Sequence, residues 1–130
     1  MIFGLGVDIL EIDRIRSVIA EQGEAFVRRV FTPNEVTYCS GKADPVQHYA
    51  ARFAAKEAVS KAMATGWSGE FAWKDVEVMN DAAGKPLVTL HGNIGARLAG
   101  YRVLVSLSHS DAHVVAVAVI EGPDSAAPAG

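Results

Sequence analysis

The chain has 130 residues, half of them hydrophobic, with 21% charged residues and a formal net charge of −3. That length admits one domain with a real core and leaves no room for two, and the acidic balance argues against wholesale nucleic-acid binding, which needs a basic surface to neutralise phosphates. The single cysteine excludes an intramolecular disulfide, no apolar run approaches 18 residues, and Met1-Ile2-Phe3-Gly4 lacks the charged region of a secretory signal, so a cytoplasmic protein with no membrane span is expected.

Residues 2 to 10 form an apolar run that reads as a strand. Phe3, Leu5, Val7 and Ile9 share one face, and Gly4, Gly6 and Asp8 share the other, which is bare except for a carboxylate. Gly4-x-Gly6 is not a dinucleotide loop, because no third glycine or helix start follows at the right spacing. Asp13 can cap a short helix running to Gln22, which Gly23 ends; Phe26 to Phe31 reads as a second short helix. Thr32-Pro33-Asn34-Glu35 is a capping box that starts a further turn or two toward Tyr38. Arg14, Arg16, Arg28 and Arg29 make this region locally basic, either as a solvated helix surface or as a docking patch for an acidic partner.

Asp44-Pro45 then supplies an N-cap and a preset first residue for a helix that runs to Ala64, with Gly66 as a left-handed stop. Such a rod is about 30 Å long. Its alanines make it slim, and Arg52, Lys56, Glu57, Ser60 and Lys61 read as a dense polar side. Phe71 to Met79 and Pro86 to Leu90 read as strands joined by the hairpin residues Asn80 to Lys85. Asn93 to Ala99 is a short helix that Gly100 stops. Arg102 to His109 and His113 to Glu121 are strands joined by Ser110-Asp111-Ala112, and residues 122–130 form a tail expected to be disordered. The order describes an α+β domain over residues 1–121.

Three separated segments carry candidate chemistry: Asp8, Glu57 with Lys61, and Ser106, Ser108 and His109. Glu57 and Lys61 are four apart with the glutamate first, the spacing of an ordinary helical ion pair. If Asp8 and Glu57 meet, two carboxylates about 4 Å apart repel by roughly 4 kcal/mol at an effective dielectric near 20, so the site needs a proton, a cationic side chain or a metal. Hard oxygen ligands without a cysteine or histidine cluster point to magnesium, completed by waters and a substrate's phosphates, with Arg52, Lys56, Lys61, Lys85 and His109 left to neutralise phosphate charge. A serine nucleophile is disfavoured: there is no Gly-x-Ser-x-Gly elbow, and Ser108 and His109 point to opposite faces of a strand. His48, His91 and His113 carry no spacing signal.

Gly6-Val7-Asp8-Ile9, Arg52-Phe53-Ala54-Ala55-Lys56-Glu57-Ala58 with Lys61, Gly84-Lys85-Pro86 and Ser106-Leu107-Ser108-His109, in that order and spacing, resemble holo-acyl-carrier-protein synthase, the small bacterial class of 4'-phosphopantetheinyl transferases. The resemblance runs from about Ile2 to Glu121. It implies transfer of the phosphopantetheine arm of coenzyme A to a serine of apo acyl carrier protein, with release of 3',5'-ADP, in fatty-acid biosynthesis. It also implies a long central helix packed on an antiparallel sheet, assembled as a homotrimer with active sites between subunits. By the same resemblance Asp8 and Glu57 are magnesium ligands, and Arg52, Lys61, Gly84, Lys85, Pro86 and His109 lie around coenzyme A. Glu57, Lys61 and His109 are then the catalytic set, and Arg14 and Arg28 dock the carrier protein. The base for the serine proton stays open among Glu57, His109 and Asp111. The same carboxylates would serve a magnesium-dependent nucleotide phosphohydrolase, and the same basic patch a non-catalytic module that only docks carrier proteins.

Overall fold

Alternation along residues 2–11 produces a strand with two unlike faces, and that contrast organises the molecule. The structure, a computed structural model, describes residues 1–63 and 71–123. Its elements are β1 (Ile2–Glu11), α1 (Ile12–Gln22), α2 (Glu24–Val30), α3 (Pro33–Ser40) and α4 (Pro45–Met63), then a single 3-10 turn (Trp73–Asp75), β2 (Val76–Asn80), β3 (Pro86–Leu90), α5 (Gly92–Arg97), β4 (Arg102–His109) and β5 (His113–Glu121). The strands form two antiparallel sheets, one in the order β1-β5-β4 and a separate β2-β3 hairpin.

The bare face of β1 is the inner one. An added Cβ on Gly6 would stand 2.0 Å from the Ala58 carbonyl oxygen, and one on Gly4 2.0 Å from that of Ala62, so the α4 backbone lies directly on the strand. Ala54, Ala58 and Ala62 keep the helix thin there, and Val114, Ala116, Ala118 and Ile120 of β5 continue the buried floor beneath it. Close approach of two backbones requires small residues on both sides, and this sequence places them on both. The outer face is apolar and uncovered: Leu5 is 67%, Val7 57% and Ile9 68% exposed, and Leu104 of β4, across Val119 of β5 from Leu5, is 40% exposed.

Several boundaries follow the sequence closely. Thr32 Oγ1 accepts from the Glu35 N–H while the Glu35 carboxylate accepts from the Thr32 N–H, completing the capping box with Pro33 as the first helical residue. The long helix starts at Pro45, and β4 and β5 have the expected ends. Other expectations fail for local reasons. Asp13 does not cap α1, because the strand runs to Glu11 and the helix starts directly at Ile12, leaving Asp13 inside the first turn. Phe71 to Asp75 is not strand: Trp73 stacks on Phe53 of α4, Phe71 packs edge-on against Trp73, and the chain makes a 3-10 turn before β2 begins at Val76. The small helix α5 starts at Gly92, earlier than Asn93, and ends at Arg97. Gly122, expected to belong to the loose tail, donates its N–H to the Met1 carbonyl at 2.7 Å. The Gly66 stop and residues 124–130 lie outside the described residues.

Candidate active site

The polar residues of α4 do not form one side. Arg52 and Lys56, one turn apart, face α3 and β2, whereas Phe53, Glu57 and Lys61 lie about 100° round the helix and face β1 and α1. Lys56 is fully buried and pairs with the equally buried Glu35 at 2.9 Å. Its ammonium also donates to the carbonyls of Trp73 and Val76, and Glu35 accepts the Val78 N–H at 2.8 Å. Burial pushes the Lys56 ammonium below its ordinary value, against the opposing pull of Glu35. All three of its donors are therefore engaged inside the protein, and Lys56 is not one of the groups that can neutralise a substrate phosphate. It joins α4 to the capping box and to β2.

The other stripe builds a pocket of about 240 Å³, lined by Asp8, Leu10, Arg14, Ile15, Phe53 and Glu57 among others. Asp8 comes from the bare face of β1, in register with Ala116 of β5. The bland helical pairing of Lys61 with Glu57 gives way to another partner: Lys61 reaches across to Asp8 Oδ1 at 3.0 Å and to the Val7 carbonyl at 3.2 Å. Burial first, and then the charge of Asp8, push the Glu57 carboxyl up, with Lys61 and Arg14 opposing. Asp8 and Glu57 thus feel each other across one opening. Among the described residues no three His, Cys, Asp or Glu side chains gather as a metal cage. Two hard carboxylates facing an open pocket suit a cation that keeps its waters and takes further ligands from a phosphate, and such a cation would relieve the repulsion between them.

A second group forms toward the N-terminal half of α4. His109 closes β4 on the inner face, and its Nδ1 accepts from Gln47 Nε2 at 2.9 Å, so its own proton sits on Nε2. Arg52 lies over the Tyr38 ring at 4.1 Å, which Lys42 also approaches at 4.5 Å, and donates to Asn80 Oδ1 at 2.7 Å. Asn80 in turn donates to the Gly84 carbonyl at the head of Gly84-Lys85-Pro86, where the Lys85 side chain is exposed. His48 sits among these cations: burial chiefly, then Arg52 and Lys42, hold its imidazolium below the ordinary value. Ten residues of helix separate Gln47 from Glu57, about 15 Å at 1.5 Å per residue. Within one chain the predicted residues therefore fall into two half-sites, Asp8 with Arg14, Glu57 and Lys61, and Arg52 with Gly84, Lys85, Pro86 and His109.

Ser106 and Ser108 register with Val117 and Val115 on the outer face of the sheet, away from His109, which faces α4. Asp111 is exposed in the β4–β5 turn. In the basic segment, Arg16 pairs with Asp13 and Asp44, Arg28 with Glu24, and Arg29 with Gln22, while Arg14 lines the carboxylate pocket. Gln47, His48 and Asn80 were not singled out from the sequence. Their partners lie 28 and 62 positions away for Asn80 and Gln47, and no spacing rule reaches that far.

Among the described residues no helix is long and apolar enough to cross a membrane. A family profile for the 4'-phosphopantetheinyl transferase superfamily matches residues 4–118. A holo-[acyl-carrier-protein] synthase of Geobacter sulfurreducens is 48% identical over 126 residues, spanning 95% of this chain and 100% of that one. The holo-[acyl-carrier-protein] synthase of Neisseria meningitidis superposes with a TM-score of 0.84 at 36% identity, covering 93% of this chain and 99% of its own. That of Bacillus anthracis, in complex with CoA (3',5'-ADP), superposes with a TM-score of 0.78 at 37% identity, covering 94% and 98%. Sequence and fold agree, and the chain belongs to the 4'-phosphopantetheinyl transferase superfamily.

Proposed function

We infer that this chain transfers the 4'-phosphopantetheine moiety of coenzyme A to a serine of apo acyl carrier protein, giving holo carrier protein and 3',5'-ADP, in the cytoplasm. The observation that carries the reading is the meeting of Asp8 and Glu57 in one pocket, with Lys61 bonded to Asp8 and Arg14 on the wall. The names of the relatives and the coenzyme A held by a structural neighbour support it. Residues 1–121 then form the transferase domain.

The donor set of Asp8 and Glu57 fits magnesium, which when bound would offset charge developing on the non-bridging and leaving oxygens of the pyrophosphate. Lys61 directs two of its three N–H groups to Val7 and Asp8, and the third is left for a phosphate oxygen. His109 offers its Nε2–H in the same way, with Gln47 fixing the ring from behind. The serine hydroxyl of the carrier loses its proton, which passes out to water, and its oxygen bonds to the nearer phosphorus of the pantetheine arm as the bond to the bridging oxygen breaks, the electron pair leaving with 3',5'-ADP. No enzyme nucleophile is needed, which agrees with Ser106 and Ser108 lying on the far face of the sheet.

The two half-sites and the uncovered sheet face favour one further step: three chains pack through Leu5, Val7, Ile9 and Leu104, and the carboxylate half-site of one faces the His109 half-site of the next. Sedimentation should report three times the chain mass, and a monomer that remains fully active would end this view. Arg14 and Arg28 are assigned to carrier docking. Arg14→Glu should raise the KM for carrier protein by about tenfold or more and that for coenzyme A by less, and the reverse order would remove the assignment.

The test of the function is incubation with coenzyme A, magnesium and apo carrier protein. A gain of the phosphopantetheine mass on the carrier is expected. Release of 3',5'-ADP equally well without carrier would instead mark a phosphohydrolase, and carrier binding without chemistry a docking module.

A further inference from the structure

The hairpin turn that bears Gly84, Lys85 and Pro86 has two separable sets of hydrogen bonds. One gives it its shape. Asp81 Oδ1 accepts from the N–H groups of Ala83 and Lys85, each at 2.9 Å; the Asp81 N–H donates to the Lys85 carbonyl, and the Gly84 N–H to the Asp81 carbonyl. Gly84 takes a φ of +87°, which favours glycine at that position. These contacts are internal to the turn and say nothing about where it sits on the body of the protein.

The other set places it. Asn80 ends β2, opposite Pro86, and its amide is engaged at both ends: Oδ1 accepts from Arg52 at 2.7 Å, and Nδ2 donates to the Gly84 carbonyl at 2.9 Å. An acceptor on one side and a donor on the other leave a single orientation for the amide. Arg52 is itself packed into the body of the protein, only 3% exposed, set on α4 and stacked over Tyr38. The start of β2 is tied to α3 and α4 through Val76, Glu77 and Val78, and Asn80 extends those ties to the end of the strand, where the turn begins.

We propose that Asn80 is a positioning residue for coenzyme A: it carries the fixed position of Arg52 to the Gly84 carbonyl and so sets where Gly84, Lys85 and Pro86 meet the ligand. This rests on the reading of that turn as a coenzyme A contact. Arg52 then acts through Asn80 more than by touching a phosphate, as its burial requires. Each link contributes a hydrogen bond whose other partner is held by a rigid element, so its loss is felt as displacement of the turn and not as loss of the fold.

Asn80→Asp and Asn80→Ala separate the links. Aspartate keeps an acceptor for Arg52 but presents an oxygen to the Gly84 carbonyl in place of a donor; alanine removes both links. Each variant should raise the KM for coenzyme A about tenfold while kcat stays within about twofold, the size expected for one hydrogen bond. The backbone resonances of Gly84 and Lys85, which report the surroundings of the turn, should shift in both variants, with those of β5 unchanged. A wild-type KM in Asn80→Asp, or unshifted turn resonances, would overturn the proposal. The wild-type assay run alongside tests the transferase reading itself, and the resonance shifts need no substrate, so the two failures are distinguishable.

Discussion

Glu57→Gln and Asp8→Asn are each expected to lower carrier modification by a factor of about 100 or more, the scale seen when one electrostatic stabiliser of a transition state is removed. Neither should unfold the protein. Glu57 is only half-buried, and its carboxyl is raised by burial and by Asp8. A carboxyl whose folded value lies above its unfolded one is penalised when ionised: the cost is absent below the ordinary value and complete above the raised one. At neutral pH the wild-type site therefore works against folding, and Glu57→Gln should melt at the same temperature or higher. Function held at the expense of stability is a common signature of an active site. A thermal melt with and without magnesium adds an independent readout, because a ligand that binds only the folded state raises the midpoint. Wild type should shift upward with magnesium and both variants should not. Retention of a tenth or more of the transfer rate by Glu57→Gln would remove Glu57 from the chemistry.

One residue earlier on the same helix the expected outcome is the opposite. Lys56→Met leaves the Glu35 carboxylate uncompensated in the interior, beside Thr32 and the β2 backbone. Breaking a buried pair from one side costs about 3–5 kcal/mol. For a chain of this size that lowers the melting temperature by roughly 10–20 °C. Turnover per folded molecule, measured well below the melt, should stay within about threefold, since the Lys56 ammonium is engaged by Glu35, Trp73 and Val76 and does not line the carboxylate pocket. The double variant Lys56→Met with Glu35→Gln should recover part of the loss, because the orphaned charge is gone. Denaturant unfolding of the four proteins closes the cycle. Equal instability in the single and double variants would mean that packing, not charge, is what Lys56 supplies.

The contrast between Lys56 and Glu57 shows what sequence can and cannot carry. The capping box at Thr32 was legible because its partners are three residues apart, and the start of α4 because proline speaks for its own position. The ends of β4 and β5 were legible from valine-rich runs and the Ser110-Asp111-Ala112 turn. The stretch before Val76 misled because Phe71 and Trp73 alternate like strand residues, whereas their rings serve a cluster on Phe53. The meeting of Asp8 with Lys61 spans 53 positions, and that of Lys56 with Glu35 spans two helices; neither follows from local chemistry. The family resemblance implied a meeting of Asp8 with Glu57 but put Lys61 around coenzyme A, so the first was not foreseen either. Nothing in the chain announced the second, and so Lys56 was placed among the phosphate-binding groups when its neighbours make it structural. The same blindness hid Gln47 and Asn80, whose roles exist only once β4 and β2 are set against α4.

The missing methyl groups of Gly4 and Gly6 have a reach beyond packing. They are a shim of zero thickness between the strand that carries Asp8 and the helix that carries Glu57 and Lys61. A Cβ at position 6 would begin 2.0 Å from the Ala58 carbonyl, where ordinary contact starts near 3.4 Å, so the two walls would have to part by more than an ångström. A displacement of that size in a reacting geometry can cost a factor of about 100. The span between the Asp8 and Glu57 carboxylates is thus calibrated from the floor of the sheet, and thickening that floor is a way to detune the site without altering either carboxylate.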